Sequence, residues 1–163
     1  MMGTSAVDYP YYLINGRTAD DPKTLSVRQG ERVRLRLLNP SGETAFRFAV
    51  AGHKLTVTHT DGQPVEPVEV DALRIGMGER YDVLLEANNP STWQVAAAPE
   101  DKNGLARTLL RYEQSSESSA PPADFVPQEL SGRLLSYVDK TAGRESFPSG
   151  SPDRVHQLVL SGG

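Results

Sequence analysis

The sequence contains no cysteine. That excludes disulfides, thiolate nucleophiles and any metal centre built on a cysteine ligand. Aromatic residues make up only 7% of the chain, with a single tryptophan, so a surface packed with stacking platforms for bases is not expected. No apolar run approaches the roughly 20 residues needed to span a bilayer as a helix. There is no excess of positive charge either: 17 Lys and Arg stand against 21 Asp and Glu, for a formal net charge of -4. The field of the whole chain therefore favours neither nucleic acid nor anionic lipid. The first residues, Met1-Met2-Gly3-Thr4-Ser5-Ala6, lack the basic stretch and apolar core of a secretory signal and are expected to mark an internal start.

What is present is a repeating pattern. At 163 residues the chain has room for one ordinary domain plus extra chain. Short apolar or alternating stretches recur about every ten residues, separated by Gly, Pro, Asn and Asp, which is the signature of an all-β Greek-key sandwich or barrel. The clearest strand is Glu31 to Asn39, where Val33, Leu35 and Leu37 alternate with Arg32, Arg34 and Arg36. Further strands are expected at Tyr11 to Ile14, Thr24 to Arg28, Ala45 to Val50, Lys54 to Thr60, Val65 to Val70, Tyr81 to Ala87, Trp93 to Ala98 and Thr108 to Tyr112. Parity places Val33, Leu35, Leu37, Phe46, Phe48, Val50, Leu55, Val57, Tyr81, Val83 and Leu85 inside. Asp61-Gly62 and Gly76-Met77-Gly78 read as tight turns.

After Tyr112 the composition changes to Glu113-Gln114-Ser115-Ser116-Glu117-Ser118-Ser119-Ala120-Pro121-Pro122. This stretch has too little apolar area to form a core element. Residues 9–112 are thus expected to be the folded domain and 113–154 a linker. Residues 155–163, with the strand-like Val155 to Leu160, are expected to begin a following domain, and that strand is a candidate for self-association at an open sheet edge.

Candidate sites are few. His53 and His59 flank one strand and share a face by parity, with Asp61 nearby, but they lie about 20 Å apart along an extended strand, too far to share an ion. The sequence therefore assigns no metal-binding residue, no catalytic residue and no cofactor-binding residue to this chain. The cationic face of Arg32, Arg34 and Arg36, with Arg28 and Arg47 possible neighbours, is expected to be solvated or paired with Glu31, Glu43, Glu66, Glu69 or Asp71 across the sheet. Glu66, Glu69, Asp71, Glu79 and Asp82 alternate along strands, as a wet face does. An alternative reading is a free-standing β-sandwich binding or interaction module, with Tyr9, Tyr11, Tyr12 and Trp93 as an aromatic platform.

Four segments carry a family resemblance. They are Tyr12-Leu13-Ile14-Asn15-Gly16-Arg17; Gly30-Glu31-Arg32-Val33-Arg34-Leu35-Arg36-Leu37-Leu38-Asn39; Gly52-His53 through His59-Thr60-Asp61-Gly62; and Gly78-Glu79-Arg80-Tyr81-Asp82-Val83. In this order they resemble the second, middle cupredoxin-like domain of laccase-type multicopper oxidases. The resemblance covers Tyr11 to Tyr112. It implies a parent that oxidises small substrates at copper and reduces dioxygen to water, with copper ligands in His-x-His pairs and a His-Cys-His segment on its first and third domains. Those domains are the implied partners, and no nucleic acid or membrane is. Copper is implied for the parent and none for this chain, whose three histidines, His53, His59 and His156, form no such pair. A periplasmic or secreted parent is implied as well.

Overall fold

The computed structural model describes residues 9–115, 119–143 and 154. Among the described residues nine strands form two sheets: β1 (Thr24–Val27), β2 (Arg32–Leu38), β3 (Phe46–Val50), β4 (Leu55–Thr60), β5 (Gln63–Val70), β6 (Ala72–Ile75), β7 (Arg80–Glu86), β8 (Thr92–Pro99) and β9 (Ala106–Tyr112). One sheet has the order β1-β9-β8-β3-β6 and the other β2-β7-β4-β5. The chain changes sheet at most of its connections, as a Greek-key sandwich requires. Every strand pair is antiparallel except β1 with β9. Among the described residues there is no α-helix, so none is long and apolar enough to cross a membrane. The all-β expectation holds.

The core lies between the sheets. Leu55, Val57, Val83 and Leu85 face Phe48, Val50, Leu73, Val95, Leu110 and Tyr112. Each sheet contributes alternate residues, which is why the parity reading found much of this set. Val33, Leu35 and Leu37 do point inward, but they are only half-buried. Their strand is the sheet edge, so packing covers them from one side only. Phe46 is likewise half-buried; the ring of Tyr12 meets it edge-on at 5.5 Å.

Two strand assignments need correction. Tyr11 to Ile14 is not a strand: Ile14 and Arg17 form an isolated bridge around a turn in which Asn15 and Gly16 both take positive φ, 50° and 76°. The dipeptide Asn-Gly dictates this tight reversal. Conversely, Ala72–Ile75 is a strand with no alternating pattern, because Ala72 and Leu73 on its opposite faces are both fully buried. A strand covered on both sides carries no period-2 signal.

Beyond β9, 3-10 turns form at Glu113–Ser115, Gln128–Ser131 and Tyr137–Asp139. Leu134 bridges Ala72 of β6 and Ala142 bridges Val65 of β5. Residues 133–143 thus run along an edge of each sheet. The Val155 to Leu160 strand lies outside the described residues.

Candidate functional site

Two corners of the sandwich gather the residues singled out by the sequence. The first is built around Gly52, which takes φ +70°. A β-carbon there would lie 2.9 Å from both Trp93 and Asn89, so glycine alone lets the corner close. His53 follows, buried to 6% exposure. Its Nδ1 lies 2.8 Å from the Ala51 carbonyl, which only accepts, so Nδ1 carries the proton. Nε2 is then the acceptor and takes the Tyr112 hydroxyl at 2.7 Å. The Asn89 amide N–H donates to the same hydroxyl at 3.2 Å. Trp93 donates its indole N–H to the Asn89 carbonyl at 2.7 Å and stands edge-on to the imidazole. Burial holds the His53 pKa below its ordinary value, outweighing the opposing pull of the Ala51 carbonyl and Glu129. Burial likewise pushes the Tyr112 phenol up. Both ring nitrogens of His53 are therefore already engaged.

His59 does not join it. A β-bulge between Val57 and His59 shifts the register, and the extra residue reverses the parity of everything beyond it. His59 is half-exposed and its Nδ1 meets only the neighbouring Thr58 hydroxyl, at 3.1 Å. The Asp61-Gly62 turn is anchored by Arg80. The Arg80 amide donates to Asp61 Oδ1 at 2.9 Å, and its guanidinium to the Asp61 carbonyl at 3.0 Å.

The second corner is Gly76-Met77-Gly78-Glu79. Glu79 Oε2 accepts the Gly76 N–H at 2.7 Å, and the Gly78 N–H donates to the Asn39 carbonyl at 2.8 Å. The Tyr137 hydroxyl reaches Glu79 Oε1 at 3.0 Å, while the Lys140 ammonium donates to the Tyr81 hydroxyl at 2.8 Å and lies 4.0 Å from the Tyr137 ring centroid. Burial, then the charge of Glu79, pushes the Tyr81 phenol far up. The residues shared with the oxidase resemblance are thus largely corner builders.

The carboxylates of the expected wet face do not converge. Asp71 pairs with Lys54, Glu79 caps its own turn, and Asp82 pairs with Arg34 at 3.2 Å and Arg36 at 3.8 Å. Arg32 completes the stripe with Glu86 at 2.8 Å. The partners are acids of the neighbouring β7, not the five acids expected from the sequence. Arg28 and Arg47 lie outside the stripe, paired with Glu113 and Glu100. No group of three or more His, Cys, Asp or Glu among the described residues has the geometry for a metal ion. The donor set among the described residues does not fit copper. The aromatic platform does not assemble either. Tyr12 packs by Phe46, whose partner is Pro99 at one end of β8, whereas Trp93 sits at the other end.

One feature escaped the sequence reading. Leu38, Met77, Tyr137 and Val138 are exposed by 58%, 51%, 78% and 91%. Three of them border the Glu79-Arg80 corner, with Val138 next in sequence to one: Leu38 pairs with Arg80, Met77 belongs to the turn, and Tyr137 is bonded to Glu79. Tyr137 and Val138 are held outward by a capped turn, in which Asp139 accepts both the Ser136 N–H and its hydroxyl at 2.9 Å. Such a cluster of large apolar groups on a rigid frame is the anatomy of a contact surface.

Comparison with known proteins agrees with this architecture. Residues 3–115 match the multicopper oxidase family model. The chain belongs to the multicopper oxidase family. It is 43% identical over 155 residues to multicopper oxidase MmcO of Mycobacterium tuberculosis, covering 95% of this chain and 30% of that protein. With copper resistance protein A of Pseudomonas syringae pv. tomato the identity is 40%, over 71% of this chain and 19% of the relative. The laccase from Botrytis aclada superposes with a TM-score of 0.56 at 31% identity, covering 67% of this chain and 22% of that one. Fet3p, at 20% identity and a TM-score of 0.59, shares the fold. The chain thus spans less than a third of the length of these relatives.

Proposed function

We propose that the chain is the copper-free middle domain of a multicopper oxidase. In this reading it packs the copper-bearing first and third domains and helps to shape the substrate cleft. The parent enzyme couples oxidation of small substrates to reduction of dioxygen to water, in the periplasm or outside the cell. The observation that supports it best is how His53 is used: its two ring nitrogens serve the fold, while large apolar side chains stand exposed around Glu79 and Arg80. A domain that binds neighbours rather than metal would have this distribution.

The reading is tested by dialysing the purified chain against Cu(II), chelating briefly and measuring retained metal by atomic emission, alongside dioxygen-dependent oxidation of a phenolic dye. Weak, removable uptake, with no turnover above the free-ion background, is expected. Stoichiometric copper that survives the chelator overturns the proposal.

A further inference from the structure

The outer face of the five-stranded sheet carries a row of small side chains that no sandwich core requires. Ala96 of β8 pairs with Ala49 of β3, and Ala49 with Ala72 of β6; all three are fully buried. The register continues on the other side to Arg107 of β9, opposite Ala96. Together these residues form a trench across four strands, floored by methyl groups and ended by a guanidinium. Gln94, one outward position from Ala96 on β8, is also fully buried.

Arg107 is 7% exposed, and among the described residues it has no carboxylate partner. A buried cation without a counter-ion needs strong neutral acceptors. Its Nε donates to the Ala19 carbonyl at 2.6 Å. Its Nη1 is shared between the Gln94 side-chain oxygen at 3.3 Å and two consecutive carbonyls, Pro121 at 2.9 Å and Pro122 at 3.2 Å. The Gln94 amide in turn donates to the Phe125 carbonyl at 2.6 Å. Farther along, Pro127 is fully buried, Leu130 enters the alanine row, Glu129 accepts the Gly52 N–H at 2.7 Å, and the Arg133 carbonyl accepts from β6 at 3.2 Å.

We propose that this trench is a peptide-recognition groove for a proline-containing segment, occupied in cis by residues 121–133. It reads main-chain carbonyls through Arg107 and Gln94, and side chains at the two plugs, Pro127 and Leu130, and at Glu129. Val126 stays largely in water, 62% exposed, so the groove is indifferent to its side chain. Proline suits the carbonyl-reading end because it brings an acceptor but no N–H that would need a partner. The groove fixes the direction in which the chain leaves β9 and brings the Tyr137-Val138 turn to the Glu79 corner. Only that last use rests on the middle-domain reading. The binding itself does not, and copper retention and groove occupancy are measured separately.

The test keeps the whole chain. A protease site is inserted into Ser116-Glu117-Ser118, the protein is folded, and the chain is then cut there. Co-elution of the two pieces on size exclusion, separating only in denaturant, is expected; immediate separation overturns the proposal. A synthetic peptide of residues 119–135 should displace the cut piece, and the same peptide carrying Leu130→Ser should be at least tenfold weaker. Equal competition by both peptides refutes the groove without any change to the sandwich. In the cut protein, Arg107→Met should speed dissociation about tenfold or more, since it removes hydrogen bonds from a charged donor. Pro122→Ala, which keeps the carbonyl, should change it by about twofold or less; a loss as large as that of Arg107→Met would mean that side chains, not carbonyls, are read.

Discussion

Strand β2 of the four-stranded sheet alternates between exposed and half-buried along its whole length, whereas β9 of the five-stranded sheet is buried at every position but one. The difference lies in what covers the outer faces. The four-stranded sheet turns Arg32, Arg34 and Arg36 to water, each paired with an acid of β7. The five-stranded sheet turns Ala49, Ala72 and Ala96 toward Leu130, and satisfies its buried Gln94 and Arg107 with chain carbonyls. A wet face tolerates long charged side chains, while a covered one needs small residues and a partner for every polar atom. The two faces should therefore respond differently to substitution.

The largest effect is expected where the difference vanishes, in the core common to both sheets. Leu85→Ala empties a fully buried site and should cost about 2–5 kcal/mol in urea denaturation. A much smaller loss would show that the four-stranded sheet packs loosely. Next comes Ala96→Leu, which overfills the covered face and should cost about 1–3 kcal/mol. It should also raise protease sensitivity between residues 119 and 135. A neutral result would mean that the face is not closely covered.

The His53 corner adds a pH dependence to the five-stranded side. Burial keeps the His53 pKa below its ordinary value of 6.5, so the unfolded chain binds a proton more readily than the folded one. This site contributes no loss of stability above that value. As the pH falls below 6.5, the folded state cannot follow the proton uptake, and stability declines until the folded-state pKa is reached. The urea midpoint should therefore fall between about pH 7.5 and pH 5.5, and the fall should be shallower in His53→Gln. Equal slopes would remove His53 from the account. The smallest effect belongs to the wet face. Arg36, whose side chain is 78% exposed and 3.8 Å from Asp82, should be replaceable by Ala within about 0.5 kcal/mol.

The same contrast explains what the sequence could reveal. On the wet sheet the arginine and aliphatic residues of β2 alternate plainly, so strand, parity and fold class were all readable. On the covered sheet, Ala72 and Leu73 are adjacent and both buried, which hides β6 from any pattern. The roles of Gln94 and Arg107 were hidden too, because their partners lie 31 and 14 residues downstream, in a stretch whose composition suggests only a linker. That His53 and His59 lie toward opposite ends of one strand was readable from their spacing. The altered orientation of His59 was not, since a bulge is a property of paired strands and leaves no mark in one of them. The exposed set of Leu38, Met77, Tyr137 and Val138 was illegible for a similar reason: it comes from three stretches far apart in sequence that only folding brings to the Glu79 corner.

The parallel pairing of β1 with β9 has a consequence in time. Thr24 lies opposite Leu109, and the nearby contact of Arg28 with Glu113 spans 85 residues of sequence. Loops of that length close at an entropic cost that must be met before the contacts they create can repay it. The hairpin β4-β5 and the pair β8-β9 are local and can form early. β1, although made before the other eight described strands, has to wait with an unpaired edge until β9 has emerged. In a refolding experiment, amides of Thr24–Val27 should accordingly gain protection from exchange after those of β4 and β5, however stable the finished sheet proves to be.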